Sequence, residues 1–278
     1  MGAYSVTSRT DARNGDSSTR DRTADSIDFT GELQVAANAS GSSSVSADAT
    51  AEFYARTITV ATVGQGIDVG ATADGGTGVE VGQSRVYAAG STDAEAWAIF
   101  GAYSDTWRTD ASDGDSFTRD RTADSIDLTG ELQVAANASG SSSAIARATA
   151  DFYARAITVE TAGQGIDVSA TADGGTRMEE GYEVIRDAEH AVAEAEVLFG
   201  AYHHESSFGG DTLVADDTAD SIDFTGELQV AAANASGSSS ATADASAEFY
   251  AREITVETAG RGIDVSAMAD GGTAMDGG

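Results

Sequence analysis

The sequence predicts a mainly β chain: three tandem β-rich, sandwich-like repeats joined by short α-helical connectors. Three observations carry this expectation. A whole module is written three times, alanine rows of period two recur inside each copy, and stretches of helical spacing lie between copies.

The triplication is explicit. Thr23-Ala24-Asp25-Ser26-Ile27-Asp28-Phe29-Thr30-Gly31-Glu32-Leu33-Gln34-Val35 recurs at 122–134, with Leu128 for Phe29, and unchanged at 218–230. Gly-Ala-Tyr opens the copies at Gly2, Gly101 and Gly200. The division expected is a β-rich repeat at 1–78, a connector with a short helix at 79–100, a second repeat at 101–176, a connector helix at 177–199, and a third repeat at 200–278. Copies of a whole module suit a scaffold better than a reaction centre, which needs one constellation only.

Each copy begins with a polar segment, 5–22, 104–121 and the shorter 203–217, which reads as loop or short edge strand. The repeated core follows. Asp28 to Val35 alternates, and the Ala36-Ala37-Asn38-Ala39-Ser40-Gly41 run after it reads as a loop or a bulge, because the third copy inserts an extra Ala there. Ala47, Ala49, Ala51, Phe53 and Ala55 then alternate with polar residues, as do Ala146 to Ala154 and Ala243 to Ala251, which predicts a strand with one buried face. Gly64-Gln65-Gly66 reads as a turn between two further strands, antiparallel where turns are short, and Gly75-Gly76 closes the unit. In the second connector Val184, Ala188, Ala191, Ala195 and Leu198 fall at helical spacing, predicting a helix from Glu179 to Phe199. In the first, Thr92-Asp93-Ala94-Glu95 resembles a capping box opening a shorter helix through Phe100.

Composition bounds habitat more tightly than chemistry. The formal charge is −31, all fifteen basic residues are Arg, and Cys and Pro are absent. Such an excess makes a compact state repel itself in ordinary buffer, whereas at molar salt the Debye length falls to about 3 Å. The composition resembles that of haloarchaeal proteins as a class. Large aliphatic and Phe side chains are scarce and Ala supplies most of the apolar content, so folding is expected to lean on salt. The anionic surface disfavours nucleic acid. No apolar run reaches the ~20 residues of a membrane span, and the start shows no standard secretory signal.

Candidate sites are few. Asn38, Asn137 and Asn234 each begin an N-glycosylation sequon, although Asn and Ser also favour turns. Glu52, Tyr54 and Arg56 recur as Asp151, Tyr153, Arg155 and as Glu248, Tyr250, Arg252. These rows are expected opposite the Ala row, as contacts to a sugar or a subunit or as a solvent-facing ladder. Asp110 to Asp115, with Asp11, Asn14 and Asp16, has the oxygen richness of a calcium loop without its spacing. His190, His203 and His204 have no diagnostic metal spacing. Asp25, Asp28 and Glu32 supply carboxylates for a glycosidase, but strand alternation is expected to put Asp25 and Asp28 on opposite faces. No catalytic residue, metal or cofactor is assigned. The function expected is a non-enzymatic, self-assembling structural protein, with head-to-tail or ring association. An adhesion or ligand-binding module is the nearest rival, and a glycosidase a weaker one.

Overall fold

A computed structural model describes residues 5–11, 15–41, 44–75, 91–108, 115–140, 143–173, 176–179, 184–187, 190–208, 213–235 and 241–269. The mainly β expectation holds, and no helix occurs among the described residues. In chain order the strands are β1 (Ser5–Asp11), β2 (Gly15–Asp21), β3 (Ala24–Ser40), β4 (Val45–Gly75), β5 (Ser91–Gly101), β6 (Ser104–Arg108), β7 (Asp115–Asp120), β8 (Ala123–Gly140) and β9 (Ser143–Asp173). They continue as β10 (Thr176–Glu179), β11 (Val184–Asp187), β12 (His190–Gly200), β13 (His203–Phe208), β14 (Leu213–Asp216), β15 (Ala219–Ala235), β16 (Ala241–Phe249) and β17 (Ala251–Ala269).

The core is two parallel sheets between which the chain shuttles, gaining one level at each crossing. The first, the alanine sheet, stacks the N-terminal part of β4, then β5, the N-terminal part of β9, β12 and β16. The second, the long sheet, stacks β3, the rest of β4, β8, the rest of β9, β15 and β17. β4 and β9 belong to both sheets, and the successive buried residues Phe53, Tyr54 and Ala55 mark the crossing in β4. Because each strand returns to its own sheet only after visiting the other, core neighbours run parallel. The antiparallel core pairing expected from the short turns is therefore corrected.

The copies do not close as separate sandwiches. β4 of the first copy pairs with β8 of the second, and β9 of the second with β15 of the third, so one core runs through all of them. Equivalent residues lie level: Ala47, Ala94, Ala146, Ala193 and Ala243 form one row, and Ile27, Ile58, Ile126, Ile157, Ile222 and Ile254 another. Phe53, Phe100, Phe152, Phe199 and Phe249 stack with ring centroids 4.9, 4.9, 4.7 and 4.8 Å apart. That is the strand spacing itself. Burying each ring contributes roughly 1.5–3 kcal/mol, which makes the Phe row the strongest anchor of an alanine-rich sheet.

Both connector helices are corrected to strands. In β5 every second residue, Thr92, Ala94, Ala96, Ala98 and Phe100, is buried, and in β12 so are Ala191, Ala193, Ala195, Val197 and Phe199. Helix propensity of Ala and Glu is weak against tertiary demand: β5 fills the level between β4 and β9, and its inner row completes the alanine sheet. Residues 180–183 and 188–189 of the second expected helix lie outside the described residues.

Two further expectations change. Gly64-Gln65-Gly66 does not separate strands. It bulges from a continuous β4, where Gly31 is level with Thr62 and Leu33 with Ile67. Residues 36–40 are strand rather than loop, and β3 runs to Ser40. The extra Ala of the third copy shifts Asn234 by one register position, level with Ala172 rather than Thr171. The polar opening segments form three antiparallel hairpins, β1/β2, β6/β7 and β13/β14, joined in one six-stranded sheet.

Candidate functional site

The polar side chains are organised as rows along the stacking direction. At the start of the long sheet, register sets Asp25, Arg56, Asp124, Arg155, Asp220 and Arg252 in successive levels, so acid and base alternate. Arg252 Nη1 lies 3.2 Å from Asp220 Oδ1. The expected Glu-Tyr-Arg rows are thus divided, with Glu and Tyr on the alanine sheet and Arg beyond the crossing on the long sheet. Asp25 and Asp28 are both exposed, which corrects the opposite-face expectation. The strand bends at its start, so that Ala24 and Ile27 turn inward with two outward residues between them.

Tyr54 and Tyr153 are not at the surface. Tyr54 packs 5.5 Å from the Tyr103 ring and Tyr153 5.6 Å from the Tyr202 ring, in a small apolar cluster with Ile99 and Leu198. Their hydroxyls donate to the carboxylates two residues earlier, Glu52 and Asp151, and burial together with those carboxylates pushes both phenols far above their usual range. Tyr250 keeps the equivalent hydrogen bond, to Glu248 Oε2 at 2.7 Å, but is 42% exposed.

Asp151 differs from its counterparts. Register places Ile99 on one side of it and Leu198 on the other, leaving it 6% exposed. Desolvation pushes its carboxyl up to about 6; the Tyr153 hydrogen bond opposes this, nearby Glu196 adds to it and Arg121 offsets part. On the same outer face Asp48, Glu95, Arg147, Glu194 and Asp244 form one row. Arg147 bridges to Glu194 at 2.7 Å and Glu95 at 3.2 Å, placing one cation at the middle of four carboxylates.

The Gly-X-Gly bulges are held from both sides. Glu32 Oε1 accepts from the Gln65 N–H at 3.2 Å and Glu131 Oε1 from the Gln164 N–H at 3.2 Å. From the next level the Glu131 N–H donates to Thr62 Oγ1 at 2.7 Å and the Glu227 N–H to Thr161 Oγ1 at 2.8 Å. Gly64 and Gly163 have φ of 65°, and a Cβ at either would run into the Glu carboxylate, so glycine is required there.

Sequence reasoning missed a stack at the foot of the hairpins. The Arg22 guanidinium lies 5.1 Å from the Tyr103 ring centre, and Arg121 lies 5.3 Å from that of Tyr202 and 6.0 Å from that of Tyr103. The Thr after each Arg exchanges hydrogen bonds with the same Tyr, Thr23 with Tyr103 and Thr122 with Tyr202. The recurring Gly-Ala-Tyr and Arg-Thr-Ala-Asp segments were its signal, and Asp217 replaces Arg in the third copy.

A cavity of about 420 Å³ beside the hairpins is lined by Asp120, Arg155, His203, Asp216, Asp220 and Arg252 among others. His203 Nδ1 stands 3.9 Å from Asp120 Oδ2. On the same lining Arg252 is paired with Asp220. Among the described residues no three His, Asp or Glu side chains group as metal ligands. Residues 12–14 and 109–114 of the expected calcium loops lie outside the described residues. Asn38 and Asn137 are exposed near the ends of β3 and β8, on strands rather than in loops. No known protein family, curated protein or solved structure matches this chain.

Proposed function

We propose that the chain is a non-enzymatic structural protein of a halophile that builds or decorates a filament, coat or other assembly. Its three copies act as tandem β-rich units of one scaffold. Its partner is a further copy of itself or another structural protein, and nucleic acid and membrane insertion play no part. One observation carries this reading: a single register runs through every level of both sheets, and β3 and β17 each have one long-sheet neighbour only among the described strands. An edge of unpaired parallel strand is a template for another chain. The anionic surface, with its charges in regular rows, favours brine as solvent and repels phosphates.

Size-exclusion chromatography with light scattering, and electron microscopy, both at molar salt, test the reading. Particles larger than one chain, as filaments, rings or stacked oligomers, are expected. Single chains at all concentrations would count against it.

The adhesion or ligand-binding reading draws support from the cavity that brings Arg155, Arg252 and His203 together beside the hairpin sheet. A specific glycan or protein ligand retained at molar salt and lost in Arg155→Ala would favour it. The glycosidase reading has less support, because Asp25 stands in the alternating Asp and Arg row and Glu32 holds a bulge.

A further inference from the structure

The two ends of the long sheet are complementary in four respects. Odd levels, β3, β8 and β15, bring the Asp of the alternating row, and even levels, β4, β9 and β17, bring the Arg, so the row ends in Asp25 at one edge and Arg252 at the other. At the bulges, Thr62 and Thr161 each accept the N–H of a Glu one level on; Thr258 is the third such Thr, on β17, and Glu32 the third such Glu, on β3. The space around the glycines agrees. A Cβ at Gly66 or Gly165 would meet the backbone of Glu131 or Glu227, whereas at Gly262 it meets only Thr258 of its own bulge. A Cβ at Gly130 or Gly226 would meet Thr62 or Thr161, whereas at Gly31 nothing lies within 4 Å.

Apolar surface repeats the pattern. Ile254, Val256, Ile263 and Val265 on β17 are 45%, 40%, 39% and 42% exposed, while their equivalents on β4, Ile58, Val60, Ile67 and Val69, are at 0–1%. Phe29, Leu33 and Val35 on β3 are half-buried, while Leu128, Leu132 and Val134 on β8 are fully covered.

Building on the structural reading above, we infer that β17 of one copy pairs in parallel with β3 of a second copy, head to tail, in the register that β4 makes with β8. Arg252 then lies level with the second copy's Asp25, Ile254 with its Ile27, Val256 with its Phe29, Ile263 with its Leu33 and Val265 with its Val35, and Thr258 accepts the N–H of its Glu32. The alanine sheet has five levels against six, so the long sheet carries the contact and one alanine-sheet level between β16 and the second copy's β4 stays open.

The absence of Cys makes every introduced thiol unique. In this register Glu253 is level with the second copy's Ser26, as Thr57 is with Ser125. Both are exposed, and adjacent parallel strands lie ~4.8 Å apart, within disulfide reach. Ser26→Cys and Glu253→Cys proteins, mixed at molar salt under mild oxidation, are expected to give the mixed dimer in ~10-fold excess over either homodimer. Thr255→Cys mixed with Ser26→Cys, two residues out of register, is expected to give ~10-fold less. Homodimers as abundant as the mixed dimer overturn the inference, as do assemblies seen by light scattering without any mixed dimer; the structural reading survives both results. Single chains throughout, with no cross-link, overturn both.

Discussion

Dialysis from molar salt to below about 0.5 M is expected to abolish the β signal in far-ultraviolet circular dichroism. Register gives the reason. On the outer face of the long sheet Asp28, Asp127 and Asp223 alternate with Thr59, Thr158 and Thr255, and Asp68, Asp167 and Asp264 alternate with Gln34, Gln133 and Gln229. Like charges in a row therefore stand two levels apart, ~9.6 Å at the usual strand spacing. This is about one Debye length at 0.1 M salt and about three at 1 M, so the repulsion along each row is felt in dilute buffer and screened in brine. The core has little to set against it, because most of the alanine sheet's inner face is methyl groups. A spectrum unchanged by dialysis would mean that side-chain burial alone holds the fold.

Asp151→Asn is expected to stabilise the protein at pH 7 by about 3 kcal/mol, the cost of ionising a carboxyl moved from 3.8 to about 6. The substitution keeps an acceptor for the Tyr153 hydroxyl and removes a charge enclosed by Ile99 and Leu198. The folded state holds this proton more tightly than the unfolded chain does. Stability from Asp151 is therefore greatest below pH 4, falls as pH rises from about 4 to about 6, and is level above that. Burial raises Asp93, Asp167 and Glu196 as well, with the same sign. Chemical denaturation at molar salt across pH 4–8 measures both effects. A variant no more stable than the parent at pH 7, with an unchanged slope between pH 4 and 6, would refute the assignment.

How much of this was legible depends on which residues carry each feature. The strands through Ala47 to Ala55, Ala146 to Ala154 and Ala243 to Ala251 declared themselves through period two. β5 and β12 carry the same alternation, but Ala at every second position also satisfies the i, i+4 spacing of a helix, and Ala and Glu favour one. Aligning Ala94, Ala96, Ala98 and Phe100 with Ala47, Ala49, Ala51 and Phe53 would have shown them to be levels of one sheet. The bulges were misread as turns because their partners are remote: the carboxylate that closes the loop at Gln65 is 33 residues away, and the N–H that Thr62 accepts is 69 away. The alternating Asp and Arg row became visible only with the register, since Asp25 and Arg56 are neighbours in no sequence window. Asp151 likewise reads as one more carboxylate until Ile99 and Leu198 are set beside it.

The central claim is that equivalent residues of the three copies are stacked levels of one continuous sheet. Electron–electron distance measurement between spin labels at Asp28→Cys and Asp223→Cys, in molar salt, tests it most directly. Both sites are exposed, in the same row, four levels apart. With the labelled protein diluted into excess unlabelled protein, so that pairs within one chain dominate, the stacked sheet gives a distribution centred near 19 Å. Separate modules of this size strung in line would place the labels ~50 Å apart, and a distribution there would contradict the fold described above.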